Sequence, residues 1–346
     1  MKRIWYHLVK IYIRTGLHFY FKEIKVIGKE NIPKKGALLF VSNHKNALID
    51  PLLIATTTTR NIHFLTRASA FKIKLVKWIL STVNMLQIYR LRDGKETLAK
   101  NNEIFNKCYN ILHKKRSLLI FPEGTHDIRR WVRPLSKGFT RITFGALEQK
   151  EDLELTIVPV GLNYSKADEY AECVSIYYGK PIAVNQYYNH KNINHSTQEL
   201  KNLVHKKMKE LTTHVEDIEN YENIIQQLGN VNFLDPNATN SKLTTLKSQD
   251  TTLPNWNSKK PTFLWQILKL VIGINSVFPL LIYKSIEPKI QEAEFVSTTK
   301  LAIGITAFPL FYGLQTIIVH YFFGLNIAFI YLTVSILSIF ILVKTK

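Results

Sequence analysis

The chain is poor in cysteine and in acid. Its two cysteines, Cys108 and Cys173, lie far apart and neither belongs to a C-x-x-C pair. That argues against a disulfide framework or a zinc site and fits a reducing, cytosolic setting. Asp and Glu number 26 against 46 Lys and Arg, so the protein suits nucleic acid, an anionic membrane surface or a phosphorylated substrate. No internal repeat and no recognisable nucleic-acid module is present, and apolar C-terminal runs set nucleic acid aside as a partner. The first residues also lack the uninterrupted apolar core of a signal peptide. Lys10 and Arg14 break it, and no small-residue cleavage site follows.

What is there divides into four stretches. Residues 1–22 mix Lys2, Arg3, Lys10 and Arg14 with Ile4, Trp5, Leu8, Ile11 and Leu17. This predicts an amphipathic helix that either lies in a membrane interface or packs on its own domain. Residues 23–228 alternate between apolar runs and helical patterns. Strands are expected at Ala37–Val41, Ile62–Thr66, Met85–Tyr89, Ser117–Phe121, Leu155–Val160 and Val174–Tyr178, with helices between them. The fold class is therefore α/β, a mainly parallel sheet with flanking helices, whose strand C-terminal ends carry the chemistry. Residues 229–260, rich in Asn, Thr and Ser, read as a polar linker. Residues 261–346 read as a membrane-embedded region. Leu301–Val319 and Phe322–Val343 carry no charge and approach the ~20 apolar residues that span a bilayer. Phe263–Tyr283 contains Gln266, Lys269 and Asn275, so two spans plus a re-entrant or interfacial segment are expected. Lys284, Lys289, Lys300, Lys344 and Lys346 would then stay on the cytoplasmic side with the basic domain.

Chemistry concentrates at strand ends. After Ala37–Val41 come Ser42-Asn43-His44 and, six positions beyond His44, Asp50-Pro51. A carboxylate that accepts one imidazole N–H fixes the tautomer and leaves the other nitrogen to take a proton from an alcohol. The run Leu86–Tyr89 leads into Arg90 and Arg92, and a guanidinium fork at a strand end suits phosphate. Ser117–Phe121 ends in Pro122-Glu123-Gly124-Thr125, a carboxylate on a rigid turn where Gly permits close approach or positive φ. Arg129, Arg130, Arg133 and Lys137 follow before the next helix, a placement that suits phosphate. Pro159 interrupts the strand Ile157–Leu162 and should bend or open it.

Taken in order, Asn43-His44 with Asp50, a strand ending in Arg90, Phe121-Pro122-Glu123-Gly124-Thr125 and Val158-Pro159-Val160-Gly161 resemble the glycerolipid acyltransferase superfamily. The resemblance covers about residues 25–185 and is nearest to the 1-acylglycerol-3-phosphate acyltransferases, with the glycerol-3-phosphate acyltransferases close by. It implies that His44 is the general base, that Asp50 orients it, and that Asn43, in the same motif, binds substrate. It further implies that Arg90 or Arg92 binds the acceptor's phosphate, that Glu123, Gly124 and Thr125 hold the acceptor, and that Lys137 contacts phosphate. Pro159 falls on the acyl-donor side. The resemblance implies no metal and no cofactor, with acyl-CoA or acyl carrier protein as co-substrate and lysophosphatidate, glycerol-3-phosphate or another lyso-lipid as acceptor. A catalytically silent membrane scaffold is the reading of another class. One departure is visible. Five residues separate His44 from Asp50 where the family has four, so the motif must begin in a loop, with the helix opening near Asp50-Pro51.

Overall fold

A computed structural model describes residues 2–67, 74–89, 96–229, 231–246 and 263–346. In chain order the described elements are α1 (Lys2–Tyr20), β1 (Glu23–Ile27), β2 (Ala37–Ser42), α2 (Ile49–Thr57), β3 (Ile62–Arg67), α3 (Lys74–Thr82) and β4 (Met85–Ile88). Next come α4 (Glu96–His113), β5 (Ser117–Ile120), α5 (Gly138–Gln149), β6 (Leu155–Tyr164), β7 (Cys173–Tyr178), β8 (Ile182–Ala183) and α6 (Ile193–Leu211). The chain ends with α7 (Tyr221–Leu228), α8 (Pro236–Leu246), α9 (Phe263–Asn275), α10 (Val277–Ile286), α11 (Val296–Phe323) and α12 (Leu325–Thr345).

The strands form one sheet in the order β1-β7-β6-β2-β5-β3-β4, with β8 pairing β6. All pairings are parallel except those of β6 with β7 and β8. Both faces of the sheet are covered, which explains why β2 is buried along its whole length. Its side chains alternate between two cores. Ala37, Leu39 and Val41 meet α4, α5 and α6, whereas Leu38 and Phe40 meet α1 and α2. In α6 the buried stripe Leu200, Val204 and Met208 repeats every four residues, so this charged helix is half core.

Two elements differ from expectation. β1 is an edge strand parallel to β7, and its exposed Glu23 and Lys25 alternate with half-buried Ile24 and Val26, a strand pattern only five residues long. The stretch 229–260, read as a linker, contains α8, whose Leu243 is buried in a small cluster with Val215 and Leu228. The remainder of that stretch from residue 247 lies outside the described residues.

The N-terminal helix packs on its own domain at one end and is exposed at the other. Leu17, Tyr20 and the following Phe21 are buried in the core, while Ile4, Trp5, Leu8, Ile11 and Tyr12 are exposed. At the other end of the chain, two helices are long and apolar enough to cross a membrane, Ala293–Phe323 and Leu325–Thr345. The second has 21 residues, about 32 Å at the helical rise, against roughly 30 Å of hydrocarbon. Gly324, at φ 83°, turns one helix into the next. Ahead of them, Trp265–Asn275 and Val277–Lys289 form a pair bent by 87°, a broken span or a re-entrant loop. Both ends of the hairpin are tied to the sheet domain. Ser297 Oγ donates to the Ala167 carbonyl, and Lys344 Nζ donates to the carbonyls of Phe21 and Lys22.

Candidate active site

The residues after β2 do not enter a helix at once. They turn around the Asp50 carboxylate, and this turn absorbs the extra residue. Asp50 Oδ2 accepts from the backbone N–H of Lys45 (2.6 Å) and of Asn46 (2.7 Å) and faces His44 Nδ1 at 2.8 Å. Its other oxygen accepts from the Tyr164 hydroxyl at 2.5 Å. Asp50 is fully buried, so its charge rests on these four donors. An ionised carboxylate only accepts, so Nδ1 carries the imidazole proton and Nε2 is the nitrogen that can take another. Phe121 stacks on the His44 ring at 4.0 Å and 15°, which fixes the ring plane. Burial and the Asp50 charge push the Tyr164 phenol well above its ordinary range, so it stays a donor.

The turn after β5 behaves differently. Gly124 holds φ +76°, and its N–H closes the turn on the Phe121 carbonyl. That presents Glu123, which is 7% exposed and has neither carboxylate oxygen hydrogen-bonded. Burial raises its carboxyl to about 7, although the charges of Lys45 and Arg133 and the nearby amides of Arg133 and His44 oppose the shift. Lys45 is also buried, and its ammonium donates to the carbonyls of Arg129 and Trp131. Burial lowers its pKa to about 8 against the pull of Glu123, Asp127 and Asp50. The same turn reaches the His44 loop through Asp127 N–H, which donates to the His44 carbonyl at 3.0 Å. On the outer side the root of α11 closes over this loop. Thr298 Oγ1 accepts from Leu48 N–H (3.0 Å), the Glu294 carbonyl accepts from Ala47 N–H (3.3 Å), and the Phe295 ring meets His126 edge-on.

Known proteins resemble this chain over the same region. Residues 23–163 match the family model described as Acyltransferase. Over this stretch the chain is similar to the acyltransferase family. A probable 1-acyl-sn-glycerol-3-phosphate acyltransferase of Mycoplasma pneumoniae is 27% identical over 141 residues, 40% of this chain and 51% of that protein. Glycerol-3-phosphate O-acyltransferase 2 of Saccharomyces cerevisiae is 31% identical over 88 residues, 25% of this chain and 12% of that protein. The chain thus spans about half the length of the first relative and far less of the second. The 1-acyl-sn-glycerophosphate acyltransferase PlsC of Thermotoga maritima is a solved structure with TM-score 0.43 and 18% identity. The match covers 59% of this chain and 80% of that one.

Within this region the remaining expected residues separate. Arg90 and Arg92 lie outside the described residues. Asn43 is fully buried and spends its amide on both backbone groups of Leu162, strapping β2 to β6. Thr125 accepts a hydrogen bond from the Arg133 guanidinium. Lys137 is exposed at the N-terminus of α5. Pro159 falls where β6 leaves β8, paired at Thr156 and Ile157, and takes up β7 at Val160, so its missing N–H costs no ladder bond. The basic run also divides. Arg129 pairs with Asp127 at 2.7 Å, and Arg130 is bound to the Tyr164 and Ser165 carbonyls beneath the Phe233 ring. Arg133 remains beside Glu123. Sequence reasoning missed Lys45, Tyr164 and Thr298. The first stood beside His44 without a pattern to mark it, and the other two join the loop only through the tertiary fold.

Proposed function

We propose that this chain is a membrane-bound O-acyltransferase that moves a fatty acyl group from an acyl thioester to the free hydroxyl of lysophosphatidate, giving phosphatidate. The observation that carries the reading is the His44–Asp50 pair held at the end of β2 while the unbonded Glu123 waits at the end of neighbouring β5. His44 Nε2 takes the proton of the acceptor hydroxyl as its oxygen attacks the thioester carbonyl. The new C–O bond forms, the C–S bond breaks, and the proton passes to the departing thiolate. Asp50 keeps the tautomer and balances the imidazolium. Positioning supplies the rest of the rate.

Glu123, Gly124 and Thr125 hold the acceptor. Arg133, Lys137 and Arg90 or Arg92 receive its phosphate, and Pro159 shapes the donor side. The donor is acyl-CoA or acyl carrier protein, which present the same thioester. Lys300, Lys344 and Lys346 all bond to the sheet domain, which supports a cytoplasmic active domain with the hairpin in the bilayer.

Glycerol-3-phosphate is the second acceptor to weigh, because Glu123 leaves two acceptor oxygens bare. Lysophosphatidate has one hydroxyl, and that one reacts; glycerol-3-phosphate has a second to offer the carboxylate. Against lysophosphatidate, a protonated Glu123 would donate to an ester or phosphate oxygen instead. The test is acyl transfer by purified protein, with both donors and with lysophosphatidate, glycerol-3-phosphate and a neutral lyso-lipid side by side. Transfer to lysophosphatidate that disappears in His44→Ala is expected. A well-folded sample that acylates none of them with either donor would overturn the enzyme reading and favour a silent scaffold.

A further inference from the structure

At the opposite end of the sheet from His44, α1 crosses the loop that joins α2 to β3. A cavity of about 420 Å³ opens there, and His7, Lys10, Arg14, His18 and Lys29 line it with no acidic residue among the lining. Thr56 to Thr59 form its floor, while Ile11, Leu17, Ile24 and Val26 supply apolar wall. On α1 the basic positions recur every three or four residues, so they share one stripe. Lys10 is the inner member and donates to the Thr58 carbonyl at 2.5 Å. Burial, Lys29 and Arg14 push its pKa down to about 8. Arg14 and Lys29 are exposed and have no acid within ion-pair distance among the described residues. Like charges gathered this way repel one another, and an anion in the cavity would relieve the repulsion.

The neighbouring stripe of α1 decides between a soluble anion and a lipid. Ile4, Trp5, Leu8, Ile11 and Tyr12 are exposed beside the basic row, an arrangement that places the row at headgroup depth when the helix lies in a membrane interface. We infer that this cavity is a binding site for the phosphate-bearing headgroup of an anionic phospholipid, separate from the acyl-acceptor site, with the acyl chains running beside the apolar stripe of α1. The site does not depend on the acyltransferase reading, since no residue of it belongs to the His44 and Glu123 loops.

The test uses the full chain in detergent, with bound lipid counted by native mass spectrometry during titration with phosphatidylglycerol or phosphatidylcholine. Arg14→Gln/Lys29→Gln alters only exposed side chains and preserves the Lys10 bonds. Lys206→Gln/Lys242→Gln removes the same charge from exposed positions elsewhere. One phosphatidylglycerol should bind the wild type in preference to phosphatidylcholine. The Arg14/Lys29 variant should weaken it at least about tenfold, from ~1 kcal/mol per interfacial cation, and the distant variant should leave it unchanged. Equal loss in both variants would reduce the effect to overall charge and overturn the site, as would retention in Arg14→Gln/Lys29→Gln. Binding of inorganic phosphate by a wild type that retains no phosphatidylglycerol would overturn the lipid as its occupant.

Discussion

Asp50 and Glu123 stand at the ends of neighbouring strands, both nine-tenths or more buried, and the fold treats them in opposite ways. Asp50 receives four hydrogen bonds from His44, Lys45, Asn46 and Tyr164. Glu123 receives none. Burying an unbonded polar group costs about 1–3 kcal/mol, and this carboxyl responds by shifting toward its neutral form. A saturated carboxylate has no capacity left for a ligand, so its work is to hold something else still. A bare one gains most when a ligand arrives. Under the proposed function the two loops would divide the labour: the first is organised before substrate binds, and the second would be completed by it.

The largest effect should come from breaking the saturated side. In Asp50→Asn the new amide offers two N–H groups where four donors converge, and the His44 tautomer is no longer fixed. With base catalysis and tautomer control worth about 10² to 10⁴ in rate, kcat should fall by roughly 10³ while acceptor KM stays within about threefold. Initial rates over a range of acceptor concentrations measure the split. A variant retaining more than a tenth of wild-type kcat would transfer the orienting role to another residue.

That division of labour was only half legible in the sequence. His44, Pro122-Glu123-Gly124 and the strands before them could be read because each is local: an apolar run, a turn residue and a chemical group within a few positions. Tyr164 reaches Asp50 across 114 positions, and Thr298 reaches Leu48 across 250. Such partners depend on strand register and on where the hairpin docks, which periodicity does not encode. The spacing anomaly between His44 and Asp50 was visible, but its resolution needed the backbone N–H groups of Lys45 and Asn46. Asn43 shows the reverse case, a motif residue whose amide is spent on holding β6.

Glu123→Gln tests the bare side. Losing a charged hydrogen bond to the acceptor, about 1.5–3 kcal/mol, should lower kcat/KM for the acceptor by roughly 10- to 100-fold. Stability should move the other way with pH. Because burial raises the folded pKa to about 7, this group's contribution is fully present below its unfolded value of about 4.5 and is lost as pH climbs through 7. Relative to wild type, the Gln variant should be more stable at pH 8 than at pH 5, by something on the order of a few kcal/mol. Thermal melting at the two pH values reads this directly. No change in the difference would mean that Glu123 is already paired in the folded protein.

A smaller effect is expected where the hairpin root meets the organised loop. Thr298→Val keeps the shape of the side chain and removes the acceptor for Leu48 N–H, a loss of about 1 kcal/mol. The expected readout is a kcat reduced about fivefold at unchanged acceptor KM, with Thr298→Ser restoring most of it. If Val and Ser behaved alike, the hydroxyl would contribute nothing to the loop, and the α11 root would be packing alone.

The smallest effect should come from Arg129, and its smallness is informative. Burial alone would raise the Asp127 carboxyl, but hydrogen bonds from Arg129 and Trp131 outweigh it and hold it at about 2. The Arg129 guanidinium is thus committed to Asp127, and its side chain is 44% exposed. Exposed pairs of this kind are worth about 0–1 kcal/mol, and Asp127 keeps its Trp131 donor and its own N–H bond to the His44 carbonyl. Arg129→Gln should therefore leave kcat/KM for a phosphorylated acceptor within about twofold, whereas Arg133, beside Glu123, is with Lys137 one of the cations of this run proposed to meet phosphate. Steady-state kinetics of Arg129→Gln and Arg133→Gln on the same acceptor separate the two. A tenfold or greater loss in the Arg129 variant would move the phosphate site to the outer arm of the turn, away from Glu123.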